Sequence, residues 1–281
     1  MKKVALTAFV ALIIGIIGFF TVSGNVFSVG RNASIDERET FTSRNIDSMI
    51  IKVDVGEVNI KESKNDEIDV HLHGSIAKKL KDQIGFSVEE NGSTVEVNVS
   101  QRENTFFLQI PFINADFNSN RVLDVSVPKE LLNKLDVKTD VGEIAINGID
   151  VEELRAHSDV GEIYVNGFTG IGDFQSNVGE VELENISGKI KAQTDTGEID
   201  LKVAEMTDDI ELSSDVGEVT VSFAKEPSNI GFDLSSDIGE VSINGFKGYD
   251  NNSSGSIVTQ IGNGGPMLKV STDIGEILVE N

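Results

Sequence analysis

The sequence predicts an all-β chain, a single-stranded β-helix or solenoid of about 7–8 coils, preceded by an N-terminal transmembrane helix. A four-residue motif, Asp or Asn, then Val, Ile or Thr, then Gly-Glu, recurs eight times along the chain. Apolar and polar residues alternate on both sides of each copy, which is typical of half-buried strands. A separate apolar segment lies close to the N-terminus.

The N-terminal segment is predicted to anchor the chain in a membrane. Lys2 and Lys3 precede an apolar run over residues 4–20. A spanning helix needs roughly 17–25 such residues, whereas the core of a signal peptide has about 7–15. Residues 1–24 are therefore expected to be a retained single-pass anchor, with a cleaved signal as the alternative. Because basic flanks remain on the cytoplasmic side, the bulk of the chain is expected to be extracytoplasmic.

The part between the anchor and the regular repeats is less periodic. Residues 25–45 are polar and predict a tether, and residues 46–135 predict an irregular β cap together with the first coil. Within that cap, the Asn91-Gly92 pair predicts a hairpin over residues 84–99, and residues 75–82 predict a short helix. The apolar stretch 106–117 is expected to pack over the end of the solenoid, because stacked repeats need a cap.

The regular repeats occupy residues 136–281. From Gly142 onward the motif glycines are 19, 18, 18, 20, 22 and 36 residues apart. Since the last interval is twice 18, it predicts a degenerate coil between Gly239 and Gly275. No repeat can bury its apolar edge alone, so neighbouring repeats are expected to stack into one continuous core.

Each motif glycine is predicted to form a corner between two strands. Val160 and Ile163 are both expected to face inward although they are three residues apart, whereas strand side chains repeat every two. If a strand contains one extra residue and its side chains still face the same way afterwards, the backbone must bend or bulge at that residue. Gly161, between them, tolerates the backbone angles that such a bend demands.

The charge of the chain limits its partners. The net charge is −24, from 47 acidic and 23 basic residues, and most of the excess lies in the repeats. Such a surface repels nucleic acid and anionic lipid, so neither is an expected partner. The chain has no cysteine, which excludes disulfides, thiolate catalysis and cysteine-based zinc sites.

The stacked motifs predict a ladder of acidic side chains. Neighbouring rungs would lie about 4.8 Å apart, where two like charges repel by about 0.9 kcal/mol even in water. Calcium, the one cofactor that the sequence suggests, binds six to eight oxygen ligands and would relieve that repulsion. The alternative is that Asp accepts backbone hydrogen bonds while Glu stays solvated and screened. The candidate calcium ligands are Asp140, Glu143, Asp159, Glu162, Glu180, Asp195, Glu198, Asp215, Glu218, Asp237, Glu240, Asp273 and Glu276.

Hydroxyl and imidazole side chains form two further groups. A hydroxyl residue stands three positions before most motif glycines, and this row is expected to be a buried ladder bonded across coils, not a row of nucleophiles. His71 and His73 share a strand face and could form a metal pair, although no third ligand stands nearby in sequence, and an exposed strand edge explains them equally well. His157 is expected at the surface. The hydroxyl row comprises Thr139, Ser158, Ser176, Thr194, Ser214, Ser236 and Thr272.

No residue of the sequence is assigned a catalytic role. Solenoids that cleave acidic polysaccharides pair carboxylates with a basic residue, yet Arg155 is the last arginine of the chain. A catalytic pair needs one locally tuned environment, whereas the acidic residues follow the repeat throughout. The chain is therefore predicted not to be an enzyme, and a polysaccharide-active enzyme is the least favoured alternative.

The repeated small-x-Φ-Gly-Glu-Φ-x-Φ units, where Φ is apolar, are similar to those of a known family. Together with the strand ending in Val127-Pro128 and the closing Gly264-Gly265-Pro266, they resemble the bacterial putative-adhesin family of unknown function that includes LiaG-like envelope proteins. The resemblance covers Met49 to the C-terminus. Family units usually carry Ser-Gly-Asp/Glu, whereas this chain places Asp-Val or Asp-Ile before the glycine. The resemblance implies an exported or membrane-attached β-helix without established enzymatic activity, associated with cell-envelope stress systems.

Together these features predict a non-enzymatic, membrane-anchored extracytoplasmic protein of the cell envelope. Its expected role is in envelope stress response or in interaction with other envelope or membrane proteins. The first alternative is a calcium-dependent adhesin or wall-polymer binding module.

Overall fold

The computed structural model describes residues 32–42, 46–102, 120–129, 131–247 and 249–281. The strands before the regular repeats are β1 (Asn32–Phe41), β2 (Ser48–Val55), β3 (Glu57–Glu62), β4 (Ile68–Ala77), β5 (Ile84–Asn91), β6 (Thr94–Gln101) and β7 (Asn120–Val127). Those of the repeats are β8 (Lys134–Val141), β9 (Ile144–Asn147), β10 (Glu153–Val160), β11 (Ile163–Val178), β12 (Val181–Thr196), β13 (Ile199–Val203), β14 (Ile210–Val216), β15 (Val219–Phe223), β16 (Ile230–Ile238), β17 (Val241–Phe246), β18 (Tyr249–Ser253), β19 (Ser256–Ile261), β20 (Met267–Ile274) and β21 (Ile277–Glu280).

The repeat strands form two parallel sheets that meet at the motif glycines. The strands before each glycine make sheet 1, in the order β2, β8, β10, the end of β11, the end of β12, β14, β20, β16. The strands after each glycine make sheet 2, in the order β3, β9, the start of β11, the start of β12, β13, β15, β21, β17. One strand of each sheet makes a coil, so the predicted all-β solenoid is confirmed.

The core lies between the two sheets. Leu154 and Ala156 of sheet 1 and Ile163 and Val165 of sheet 2 are buried, whereas Arg155 and Tyr164, which alternate with them, are not. Equivalent positions are paired in register from coil to coil, as Ala156 with Phe174 and Ile163 with Ile144, so the buried apolar residues form rows along the stack. Each fully buried aliphatic side chain contributes about 1.5–3 kcal/mol relative to exposure.

At the N-terminal end, the order of the coils differs from the order of the chain. Strand β6 adds to sheet 1 beside β2, and β7 adds to sheet 2 beside β3, so together they form the terminal coil. Antiparallel strands then cover it, with β5 pairing with β6, β4 with β7 and β1 with β4. The pairing of β5 with β6 confirms the predicted hairpin at Asn91-Gly92.

The C-terminal end is closed in a similar way, and here the predicted degenerate coil is wrong. The last coil of the chain, β20 and β21, is inserted between the coil of β14 and β15 and that of β16 and β17. The chain between β17 and β20 forms β18 and β19, which run antiparallel to β17 and β16. A further parallel coil would have left unpaired backbone N–H and C=O groups at the sheet edge. The antiparallel strands form hydrogen bonds with the backbone groups of the outermost coil instead.

Four other predictions concern the N-terminal part. The tether over residues 25–45 is wrong in its centre, because β1 pairs with β4 through Asn32–Phe41. The short helix is a 3-10 helix at Lys78–Gln83, since β4 extends to Ala77. Residues 1–24 and 106–117 lie outside the described residues. Within the described ranges, no helix has the length and apolar character that a membrane span requires.

Candidate functional site

The motif glycines form one column along the edge where the two sheets meet. A Cβ added to Gly179 would lie 2.0 Å from the carbonyl oxygen of Gly161, and one added to Gly197 would lie 1.9 Å from that of Gly179. The φ angle of Gly179 is +149°, a value that side chains rarely allow. Direct stacking of the corners is therefore confirmed. The column runs Gly56, Gly142, Gly161, Gly179, Gly197, Gly217, Gly275, Gly239.

The hydroxyl row lies immediately inside this glycine column. Ser176 Oγ donates a hydrogen bond to the Gly161 carbonyl oxygen at 2.9 Å, and Ser236 Oγ donates to that of Gly275 at 2.8 Å. The row is buried as predicted, and its bonds across coils go to glycine carbonyls. Thr139 is the exception, because its buried hydroxyl has no partner among the described residues.

The apolar residue before each motif glycine is not a core residue. Val160 was expected to face inward, but it is half-buried, and Val141 and Ile238 are 38% and 66% exposed. The inner position of each corner belongs to the hydroxyl residue, such as Ser158, because the neighbouring glycine carbonyl needs a donor there. The expectation for Val160 is therefore wrong, and an apolar row emerges at the surface.

We use the name acidic edge for the surface formed by the eight motifs. Its apolar row comprises Val55, Val141, Val160, Val178, Thr196, Val216, Ile274 and Ile238. On one side lies the Asp column, which comprises Asp54, Asp140, Asp159, Asn177, Asp195, Asp215, Asp273 and Asp237. On the other lies the Glu column, which comprises Glu57, Glu143, Glu162, Glu180, Glu198, Glu218, Glu276 and Glu240. Seven intervals between eight rungs give a length of about 34 Å.

In the Asp column, carboxylates of neighbouring rungs contribute to raised pKa values of Asp215 and Asp140. Burial raises the pKa of the Asp215 carboxyl, and the carboxylates of Asp195 and Asp273 add to the increase. Burial also raises the pKa of Asp140, where Lys138 opposes the effect and Asp159 adds to it. Asp273 raises the pKa of Asp215 because β20, which carries Asp273, lies beside β14, which carries Asp215.

The Glu column behaves in the same way. Burial raises the pKa of Glu143, and Glu57 and Glu162 in the adjoining rungs raise it further. Burial likewise raises the pKa of Glu180, again with Glu162 contributing. The predicted ladder of mutually repelling acidic groups is therefore present in both columns.

Basic neighbours divide the Asp column into two parts. In the N-terminal part, Lys138 Nζ lies 3.8 Å from Asp140 Oδ1, and His157 Nε2 lies 2.8 Å from Asp159 Oδ1. His157 is thus at the partly exposed surface, as expected. At the position equivalent to His157, the later coils carry uncharged residues: Gln175, Gln193, Ser213, Ser271 and Ser235.

Four aspartates of the column therefore lack a compensating charge. Among the residues that the structure describes, no salt bridge or hydrogen bond reaches the side chains of Asp195, Asp215, Asp273 and Asp237. Carboxylates on the outer face of sheet 2 are different, since Lys202 Nζ lies 3.2 Å from Glu182 and 2.6 Å from Glu184. The C-terminal part of the acidic edge is thus the strongest candidate for cation binding.

The histidine pair gains partners that sequence reasoning missed. One nitrogen from each of His71 and His73 and one oxygen from Asp124 lie within 4.8 Å of one another. Asp36 Oδ1 lies 2.8 Å from His71 Nε2. Asp36 and Asp124 are remote in sequence and come together because β4 pairs with both β1 and β7. A prediction of that antiparallel pairing would have been needed to find them.

Comparison with known families identifies the architecture. The family model described as Toastrack DUF4097 matches residues 46–175 and, a second time, residues 172–280. The match confirms the resemblance to a putative-adhesin family of unknown function. No curated protein matches the chain.

Two solved structures similar to this chain come from bacteria. A "putative cell adhesion protein" of Clostridium sporogenes is 13% identical, with a TM-score of 0.38 over 88% of this chain and 99% of the other. A "putative adhesin" of Bacteroides fragilis is 12% identical, with a TM-score of 0.42 over 88% and 97%.

Proposed function

Because this chain belongs to the Toastrack DUF4097 family, we propose that it is a non-enzymatic interaction protein of the cell envelope. Residues 1–24 would hold it in the membrane with its N-terminus in the cytoplasm, and the solenoid would face outward. The acidic edge would bind other envelope or membrane proteins during envelope stress. The observation that carries this proposal is the half-exposed apolar row between two acidic columns.

The acidic edge selects a particular kind of partner. Its apolar row buries further surface on contact, and the flanking carboxylates attract Lys and Arg side chains placed on either side of an apolar segment. Charge complementarity of this kind accelerates encounter and excludes anionic partners. We therefore infer that the partner segment is apolar along its middle and cationic along both margins.

A binding role suits the repetition of the acidic edge better than catalysis does. The raised pKa values occur on three separate rungs, at Asp140 and Glu143, at Glu180 and at Asp215. An active site would instead combine differently tuned groups at one place. A regular edge offers many weak, equivalent contacts, which is the property of an extended binding surface.

The test uses the full chain in nanodiscs of zwitterionic lipid and a tryptophan-containing peptide in which lysines flank a row of leucines. The chain contains no tryptophan, so a change in peptide fluorescence beyond that seen with empty nanodiscs reports binding to the chain. Asparagine replaces the four unpaired aspartates, Asp195, Asp215, Asp273 and Asp237. We expect affinity to fall by about tenfold or more, because each exposed charge pair contributes about 0.2–1 kcal/mol.

A matched control separates the acidic edge from overall charge. Amides replace four exposed acidic residues elsewhere, Asp66, Glu67, Glu89 and Glu90, which changes the net charge equally. We expect this variant to bind the peptide as the parent does. Equal weakening in both variants would show that general attraction, and not the acidic edge, binds the peptide.

A second function, calcium-dependent adhesion or wall-polymer binding, is favoured by the four aspartates without described partners. A calcium ion between successive rungs would take several carboxylate oxygens and relieve their repulsion. We expect calcium to raise the thermal midpoint of the full chain relative to chelator. The asparagine variant should lose that increase, and an unchanged midpoint in the parent would eliminate the calcium ladder.

A further inference from the structure

The histidine pair lies at the N-terminal end of the solenoid, outside the two acidic columns, and Asn59 connects its neighbour Asp124 to Glu57 of the Glu column. His71 and His73 are two residues apart on β4, so both project from the same face of the strand. Their ring centroids are 4.7 Å apart. In the antiparallel registers, Asp124 of β7 lies opposite His71, and Asp36 of β1 lies opposite His73. Three strands therefore deliver two imidazoles and two carboxylates to one place.

The side chains in this cluster converge on one another. His73 Nε2 lies 2.9 Å from Asp124 Oδ2, and His71 Nε2 lies 2.8 Å from Asp36 Oδ1. Tetrahedral zinc, with bonds of about 2.0–2.2 Å, holds its ligand atoms about 3.3 Å apart. The potential ligand atoms of His71, His73 and Asp124 already lie within 4.8 Å of one another. Rotations of partly exposed side chains suffice to close the remaining gap.

An outer layer of hydrogen bonds orients the carboxylate. Asn59 Nδ2 donates to Asp124 Oδ1 at 3.2 Å and to Glu57 Oε1 at 2.8 Å. Asp124 is thereby fixed with its other oxygen directed at His73. Metal sites commonly depend on such outer partners to aim their ligands.

From this geometry we propose that His71, His73 and Asp124 bind one divalent transition-metal ion, with Asp36 as a fourth ligand. Two imidazoles with carboxylates suit zinc, and also copper or nickel, whereas calcium and magnesium prefer oxygen ligands alone. The ion would join the covering strands β1 and β4 to β7 of the terminal coil.

One basic residue must move when the ion binds. Arg38 Nη2 lies 3.3 Å from His71 Nδ1, and Arg38 Nε lies 3.3 Å from Asp69 Oδ1. When zinc binds Nε2 of His71, the proton of the neutral imidazole lies on Nδ1. Nδ1 then cannot accept a hydrogen bond from Arg38. The Arg38 side chain is 58% exposed, so it can turn to solvent and keep its contact with Asp69.

The experiment is a zinc titration of the purified full chain by calorimetry, with excess calcium present to occupy the acidic edge. The chain has three histidines and no cysteine, so the background from other soft ligands is small. We expect one zinc site per chain and a higher thermal midpoint with zinc. Cobalt at the same site should give the visible absorption of a tetrahedral complex.

Variants assign the site to particular residues. His73→Asn should lower zinc affinity by at least tenfold, and Asn59→Ala by about tenfold through misorientation of Asp124. The matched control is His157→Asn, which removes the remaining histidine and should leave affinity unchanged. Circular dichroism without metal verifies that each variant folds.

Two results would overturn the proposal. One is zinc binding that is equally strong in the parent and in the His71→Asn, His73→Asn double variant, because the acidic edge or another surface would then hold the ion. The other is the absence of any zinc binding to the folded parent. Neither result bears on the binding of cationic peptides, which is measured without zinc.

Discussion

The middle coils and the two ends of the solenoid are built by different rules. In the middle, from β8 to β14, successive coils of the chain are neighbours in space and every pairing is parallel. At both ends, one coil is out of chain order, and antiparallel strands cover the outermost coil of the stack. The repeat can therefore extend the stack, but it cannot end it.

The corner of the terminal coil illustrates why an ending needs a different sequence. A Cβ on Gly56 would lie 3.0 Å from the carbonyl oxygen of Arg121, which occupies the neighbouring rung where the middle coils have glycine. Arg121 is buried, and Nη1 donates to Gln101 Oε1 at 3.0 Å. Burial lowers the pKa of Arg121, while Asp54 opposes the effect. A buried charged side chain at this rung precludes another identical coil.

The largest expected effect tests the glycine column. Gly179→Ala places a Cβ 2.0 Å from the Gly161 carbonyl oxygen and imposes a φ of +149° on alanine. Backbone strain of about 1–3 kcal/mol and overpacking of about 1–3 kcal/mol should together lower the free energy of unfolding by about 2–6 kcal/mol. Urea unfolding followed by circular dichroism measures the change.

The control for this substitution is Gly148→Ala, in an outer turn. Gly148 has a φ of +61° and no atom within 4 Å of an added Cβ. Only the left-handed backbone then matters, with a cost of about 1–2 kcal/mol. Equal losses in the two variants would contradict the idea that contact between stacked corners makes glycine necessary.

A smaller effect distinguishes the middle of the hydroxyl row from its N-terminal end. Thr194 Oγ1 donates to the Gly179 carbonyl oxygen at 3.1 Å, whereas the buried Thr139 hydroxyl has no described partner. Thr194→Val should lower the free energy of unfolding by about 1–3 kcal/mol, because it leaves a buried carbonyl without that donor. Thr139→Val should be neutral or stabilising, since it removes an unpaired hydroxyl. Chemical denaturation of both variants provides the comparison, and similar losses would refute it.

The smallest effect concerns the pH dependence of the acidic edge. Asp140, Glu143, Glu180 and Asp215 have raised pKa values in the fold. Above the ordinary values of 3.8 for Asp and 4.5 for Glu, the native state therefore binds more protons than the unfolded state. Stability should increase as pH falls from 7 through that window, by on the order of 1 kcal/mol after screening.

The pH effect has its own limits and control. Below the ordinary pKa values the unfolded chain is protonated too, so no further gain is expected. The pKa of Asp36 is lowered chiefly by its hydrogen bond with His71, and that of Glu184 chiefly by its hydrogen bond with Lys202. Protonation of these two carboxylates at low pH should therefore lower the stability of the fold. Thermal midpoints of unfolding measured between pH 7 and pH 3 report both the gain and the loss of stability. Asp215→Asn should reduce the rise and Glu89→Gln should not, and a midpoint that falls steadily from pH 7 would contradict the mechanism.

The sequence predicts the middle of the molecule better than its ends. Motifs such as that at Gly161 repeat a local pattern, so the strand, corner and alternation can be derived from short stretches of chain. The position of β20 and β21 cannot, because the 36-residue interval before Gly275 fits a degenerate coil as well as a pair of covering strands. The half-exposed position of Val160 was also missed, since alternation alone does not reveal that a hydroxyl must occupy the inner corner.

The sequence by itself determined that the chain is an all-β solenoid whose glycine corners stack and whose carboxylates form columns, because identical short segments pair best in register. The tertiary structure decided which rungs are neighbours, how the two ends are closed, and that Asp36 and Asp124 meet the histidine pair. These features depend on pairing between distant strands. The free energy of such pairing comes from burying edges and faces against one another, and no local sequence pattern encodes it.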